Sequence, residues 1–172
     1  SGPYPGVLVI HENRGLNPHI EDIARRIALE GFLAVAPDML SSVSGTPADE
    51  DAARALFRGL DSAAVVAQLQ AGLVHLAERE DTTGRNGIVG FCWGGGQVNA
   101  VAADPATEHL HAAVPYYGAA PAAELVPNIQ APMLLQNAGL DTRINAGLPG
   151  FTAAMDAAGT DYTLNLYEGA NH

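Results

Sequence analysis

No second cysteine accompanies Cys92 in the 172 residues, so the chain can form no internal disulfide and carries no cysteine cluster for zinc. Positive charge is scarce as well: eight Lys and Arg stand against 19 Asp and Glu, for a formal net charge of −11. Phosphate backbones and anionic bilayers are bound by clustered cationic side chains, so neither nucleic acid nor membrane is an expected partner. No stretch approaches the roughly twenty apolar residues of a membrane span, and no secretory leader is visible; the expected location is cytoplasmic. Ser1-Gly2 reads as a trimmed start or a cloning scar. Internal repeats and low-complexity tracts are missing too. A small neutral or anionic molecule remains as the expected partner, with a local arginine to meet any negative charge. The expected assembly is a monomer or homodimer, and no cofactor or metal is implied.

What the chain does have is apolar content, 48% of its residues, arranged as strands alternating with helices over residues 1–172. Val7 to His11 is a continuous apolar run after Pro5-Gly6, as expected of a central parallel strand covered on both faces. Ile20, Ile23, Ala24, Ile27 and Ala28 recur at helical spacing, and Gly31 ends that helix. Phe32 to Ala36 is a second strand, followed by a loop-like Ser41 to Ala48, an acidic helix near Asp49 to Arg58, and a long helix from an Asp61 cap to about Glu80. Further strands are read at Gly87 to Phe91, Ala112 to Tyr116, Pro132 to Asn137 and Tyr162 to Tyr167. Helices are read from Gly94 to about Ala103 and from an Asn145 cap to about Ala158. The alternation predicts an α/β fold: a doubly wound, mostly parallel six-stranded sheet of order 2-1-3-4-5-6 with helices on both faces, in a single domain.

Gly87 to Gly96 organises the rest. Its core, Gly90-Phe91-Cys92-Trp93-Gly94, is the strand–turn–helix elbow pattern G-x-S-x-G with cysteine in place of serine. Such a turn forces its central residue into strain and displays the side chain above the sheet, and flanking glycines relieve the crowding. A cysteine buried as a small hydrophobe needs no such glycines, so Cys92 reads as a nucleophile. Catalytic groups of such sheets collect beyond the carboxyl ends of the strands, where Glu12, Cys92, Asp141 and His172 all fall. Nucleophile, acid and histidine follow one another in the chain order of the α/β-hydrolase triad. The expected roles are Cys92 attacking an ester or lactone carbonyl, His172 taking its proton, and Asp141 holding the imidazole tautomer.

Several of these pieces together resemble the dienelactone hydrolase family, the carboxymethylenebutenolidases. They are His11-Glu12-Asn13-Arg14-Gly15, Ala36-Pro37-Asp38, the cysteine elbow with Gly95, Ala113-Val114-Pro115-Tyr116-Tyr117-Gly118, Gly139-Leu140-Asp141, and Tyr167-Glu168-Gly169-Ala170-Asn171-His172. The resemblance covers nearly the whole chain. It implies Cys92, Asp141 and His172 as the triad, Glu12 hydrogen-bonded to the resting thiol, and the N–H groups of Asn13 and Trp93 as the oxyanion hole. The elbow geometry independently supplies one donor from the residue after the nucleophile. Family members that open dienelactone grip its carboxylate with arginines, one of them beyond the histidine; the chain here stops at His172. Arg14 and Arg143, with Tyr117, are the candidate substrate contacts. The α/β-hydrolase fold normally adds two strands outside the second strand and a helix after the histidine, so this chain reads as the core of a longer protein or one whose apolar edge is covered otherwise. Alternatives to the lactone hydrolase are a broad carboxylesterase or thioesterase, and a non-catalytic or thiol-redox protein on the same scaffold.

Overall fold

The computed structural model describes residues 2–172. Six parallel strands form one sheet in the order β2-β1-β3-β4-β5-β6. They are β1 (Tyr4–Ile10), β2 (Leu33–Val35), β3 (Thr82–Phe91), β4 (Leu110–Tyr116), β5 (Met133–Ala138) and β6 (Tyr162–Tyr167). The helices are α1 (Pro18–Leu29), α2 (Glu50–Leu56), α3 (Ser62–Glu78), α4 (Trp93–Ala103), α5 (Thr142–Asn145) and α6 (Leu148–Ala158), with 3₁₀ turns at Phe57–Gly59 and Ala123–Asn128. This is the α/β-hydrolase-like doubly wound fold and strand order that the sequence pattern predicts.

Right-handed crossovers dictate the layering. The chain steps from β1 to β2 in one direction and then back across the sheet in the other. As a result α1 lies on one face, while α3, α4 and α6 pack on the opposite one. There Leu8, Ile10, Ile88, Ala113 and Leu135 of the strands meet Leu69, Leu73, Val98, Val101 and Met155 of the helices in a single core. On the face of α1, residues Val7, Val89, Phe91, Val114 and Tyr116 line an open apolar groove of about 630 Å³.

Helix starts follow their caps. Asn17 Oδ1 accepts from Ile20 N–H at 3.2 Å with Pro18 in the first turn, Asp49 Oδ1 accepts from Ala52 N–H at 2.7 Å, and Asp61 Oδ1 accepts from Ala63 N–H at 2.9 Å. Two readings need correction. The third strand begins at Thr82, not Gly87, because its polar residues find partners: Thr82 Oγ1 donates to Leu76 O at 2.5 Å and Asn86 Nδ2 to Leu73 O at 3.1 Å. A strand can carry buried polar side chains when nearby carbonyls satisfy them. Asn145 does not cap a helix running to Ala158. It ends the one-turn α5, its Nδ2 donates to Ala138 O at 2.8 Å, and α6 starts separately at Leu148 with Pro149 in its first turn. Gly159 closes α6 in the left-handed conformation, φ 70°.

The tightest packing is at the start of α4. A Cβ on Gly94 would lie 2.5 Å from His11 O and 2.6 Å from Ile10 O, both backbone atoms of the neighbouring strand end. We expect Gly94→Ala to destabilise the fold by about 1–3 kcal/mol, since backbone cannot move aside as a side chain can. Gly150, inside α6 with open space within 4 Å of where a Cβ would stand, serves as the contrast; there Ala should stabilise by about 0.5–1 kcal/mol. Urea unfolding midpoints of the two variants check the pair of signs, and equal shifts would refute the close-approach account.

Candidate active site

Each site residue sits at the carboxyl end of a strand. Cys92 follows β3 directly with φ 54° and ψ −111°, a region that non-glycine residues rarely adopt, and its own N–H is held by Tyr116 O at 3.1 Å. Strain at this turn leaves the half-buried thiol projecting into the crevice. Asp141 follows β5, and its Oδ1 caps α5 by accepting from Ile144 N–H at 3.1 Å. His172 comes after β6, where Leu140 N–H donates to Ala170 O at 2.9 Å and Gly139 N–H to Tyr167 O at 2.8 Å. Those two backbone bonds lace the aspartate turn to the histidine segment.

The side chains then meet in a line. His172 Nδ1 lies 2.5 Å from Asp141 Oδ2, and His172 Nε2 lies 2.9 Å from Cys92 Sγ. Burial by itself would raise the Asp141 carboxyl, but the bond from His172, the Ile144 N–H and the charges of His172 and Arg143 together hold it below the ordinary carboxylate range. An ionised carboxylate can only accept, so Nδ1 carries a proton and donates to it, and Nε2 is the ring nitrogen that faces the sulfur. The Cys92 pKa is raised, first by burial and then by the charges of Glu12 and Asp141. The Trp93 N–H and the Arg143 charge act in the opposite direction. These effects favour a protonated thiol, whose sulfur lies 2.9 Å from the imidazole.

Glu12 is placed differently from what the resemblance implies. Its Oε1 accepts from Tyr117 O–H at 3.2 Å, while the thiol faces His172, so Glu12 acts on the sulfur through its charge. Tyr117 joins the two sides of the site. Its ring stands edge-on to His172 at a centroid distance of 4.9 Å, its N–H donates to Gln136 O at 2.7 Å, and its backbone is strained at φ 38°. Burial, followed by the Glu12 charge and hydrogen bond, pushes its phenol well above the ordinary tyrosine value, so it stays a hydrogen-bond donor.

Asn13 and Trp93 flank the thiol on the crevice floor. Trp93 opens α4, where the first backbone N–H groups have no intrahelical acceptor, and Asn13 N–H has no protein acceptor among the described residues. Two cavities meet at Cys92, sharing Asn13, Arg54, Tyr117 and Arg143 in their walls. One, about 600 Å³, runs between Phe57, Trp93, Ala100, Pro121 and Ile144 with Arg58 beside them. The other, about 750 Å³, is polar, walled by Glu12, Arg14, Glu50 and His172. The Arg14 guanidinium is paired with Glu50, and Arg54 with Asp51 at 3.5 Å; Arg58 and Arg143 have no carboxylate partner among the described residues. Nothing in the sequence singles out Phe57, Arg54 and Arg58. Their segment reads as an acidic helix; Arg54 lies in α2, Phe57 and Arg58 lie in the 3₁₀ turn that follows, and all three line the cavity.

The whole chain, residues 1–172, matches the dienelactone hydrolase family model. Over 61 residues it is 57% identical to the Escherichia coli (strain K12) protein named "Putative hydrolase fragment YghX", spanning 36% of this chain and about half, 52%, of that one. It is 33% identical over 186 residues to a "Putative carboxymethylenebutenolidase" of Escherichia coli (strain K12), covering 99% of this chain and 68% of the relative. Among solved structures, the crystal structure titled "Putative Dienelactone Hydrolase" from Klebsiella pneumoniae superposes with a TM-score of 0.87 at 29% identity, covering 100% of this chain and 77% of that one. With its full length matched and its fold shared, the chain belongs to the dienelactone hydrolase family, hydrolases built on the α/β-hydrolase fold.

Proposed function

We propose that this hydrolase cleaves ester or lactone bonds of small substrates through an acyl-enzyme on Cys92. The observation that carries the reading is the unbroken line from Asp141 through His172 to the Cys92 sulfur, 2.5 Å and 2.9 Å long at its two contacts. As the sulfur bonds to the carbonyl carbon, its proton passes to His172 Nε2, and Asp141 stabilises the imidazolium so formed. The carbonyl oxygen becomes an oxyanion held by the N–H groups of Asn13 and Trp93. Collapse breaks the carbon–oxygen ester bond, and the departing alkoxide takes the proton from Nε2; in a lactone that oxygen stays tethered to the acyl chain. Water then gives a proton to His172 and attacks the thioester. Collapse of the second oxyanion releases the acid and returns the thiol.

The cavity walls suggest the substrate. Arg58 and Arg143, which form no ion pair among the described residues, line a largely apolar cavity together with Arg54 in a protein of net charge −11, an arrangement suited to a carboxylate on an apolar body. A second reading, a broad carboxylesterase, is favoured by cavities of about 600 and 750 Å³, which exceed the needs of a small lactone. Rates on para-nitrophenyl esters of increasing acyl length, set against dienelactone, separate the two. A thiol-redox role is disfavoured, because redox cysteines have lowered pKa values and that of Cys92 is raised.

Cys92→Ala should abolish hydrolysis while leaving the unfolding midpoint nearly unchanged, and Cys92→Ser should leave at most weak activity. Retained turnover in Cys92→Ala would refute the cysteine mechanism. Asp141→Asn should lower kcat by orders of magnitude by favouring the other His172 tautomer; a loss below about tenfold, or about 1.4 kcal/mol, would mean another group orients the imidazole.

The charges around the thiol predict opposite effects on its alkylation. Glu12 and Asp141 raise its pKa and Arg143 lowers it. Removing the Glu12 charge in Glu12→Gln therefore lowers the thiol pKa, increases the thiolate fraction near neutral pH and speeds reaction with iodoacetamide; Arg143→Ala slows it. Alkylation rates across pH 6–9 read both shifts, and movement of the two profiles in the same direction would contradict this electrostatic account.

A further inference from the structure

His11 takes no part in the proton transfer, yet it is fully buried directly beneath the site. Its Nε2 receives the Met39 N–H at 3.0 Å, and its Nδ1 lies 2.7 Å from Glu12 O. A backbone N–H can only donate and a carbonyl can only accept, so these two partners require one state of the ring: neutral, with the proton on Nδ1 donated to Glu12 O. Burial lowers the His11 pKa in the same direction. The Glu12–Asn13 peptide is planar, with its C=O and N–H pointing opposite ways. Drawing the Glu12 carbonyl down onto His11 therefore turns the Asn13 N–H up into the crevice. The other face of the imidazole lies against Trp93, nearly parallel at 14° and 5.6 Å between centroids, with Phe57 edge-on to both rings. A clamp farther along steadies the same loop: Asp38 holds Thr46, and Thr46 Oγ1 accepts from Leu16 N–H at 2.8 Å.

We infer that His11 is a positioning residue for the oxyanion hole, aiming the Asn13 N–H through its bond to the Glu12 carbonyl and bracing Trp93, the residue of the second donor, by stacking. The inference rests on the proposed acyl-transfer reading. It separates His11 from the proton-transfer line, so a variant that misaims the donor should impair only steps that form an oxyanion.

Two amide substitutions divide the ring between them. In His11→Asn the shorter amide reaches where Nδ1 lies and can still donate to Glu12 O, whereas in His11→Gln the longer amide reaches where Nε2 lies and keeps only the Met39 contact. On a para-nitrophenyl ester, His11→Gln should lower kcat by roughly 10²-fold with KM nearly unchanged, the size expected for one lost oxyanion donor, and His11→Asn should lose clearly less. Iodoacetamide alkylation displaces iodide from a methylene carbon and creates no oxyanion, so in His11→Gln the Cys92 alkylation rate should change far less than kcat does. Equal losses in the two, full activity in His11→Gln, or alkylation altered in step with turnover would overturn the inference. A measurement on the unaltered protein is independent of how the variants fold: ring-nitrogen NMR of His11 should find its proton on Nδ1, and a proton on Nε2 would leave the Glu12 carbonyl with only the longer bond from Gly15 N–H, at 3.4 Å, and end the inference. Wild-type hydrolysis that survives Cys92→Ala would sink the acyl-enzyme reading as well, whereas the other negative outcomes sink this inference alone.

Discussion

The backbone of α4 touches the backbones of the strands on either side of β3, and the rest of the crevice depends on that contact. A Cβ at Gly94 would strike the carbonyls of Ile10 and His11, and one at Gly95 would come within 3.0 Å of Gly118 Cα. Side chains would hold α4 away from the sheet; glycines let its first turn drop between the ends of β1 and β4. The turn into the helix is then so sharp that Cys92 has to adopt φ 54°. Strain at one residue is thus the cost of setting three groups at one height: the thiol, the open N–H groups of the helix start, and the loop after β1.

Electrostatics around that thiol is balanced, with no single dominating charge. Burial first, and then the nearby carboxylates, favour the protonated sulfur, while Trp93 N–H and Arg143 moderate the effect. His172 Nε2 lies 2.9 Å from that sulfur. The imidazole in turn is held by Asp141, whose burial is compensated by hydrogen bonds from the ring and from Ile144 N–H. Tyr117 links this line to Glu12 on the opposite wall, so the carboxylate that opposes thiolate formation is itself fixed in place.

Much of the architecture was legible because it depends on short-range pattern. Strand order followed from alternating strands and helices with right-handed crossovers, and the elbow was visible as glycines around Cys92. Asp141 and His172 stood out because strand ends in such a sheet converge on one crevice, whatever the intervening sequence. Less was visible where a residue's role depends on a partner far along the chain. Thr82 and Asn86 look like loop residues until the carbonyls of α3 accept from them, and Asn145 looks like a helix cap until the end of β5 takes its amide. Arg58 and Phe57 show no motif; they sit in the 3₁₀ turn between α2 and α3 and line the cavity.

The sequence by itself determined most of the elements, their order across the sheet and which strand ends carry the site residues, since period, glycine placement and handedness are local properties that add up along the chain. Only the tertiary structure decided where the donors and lone pairs point. Whether Glu12 meets the thiol or Tyr117, whether Arg14 is free or paired with Glu50, and which nitrogen of His11 bears its proton are each set by groups tens of residues away. Hydrogen bonds are directional and weaken steeply once bent below about 120°, so such assignments wait on the packed fold.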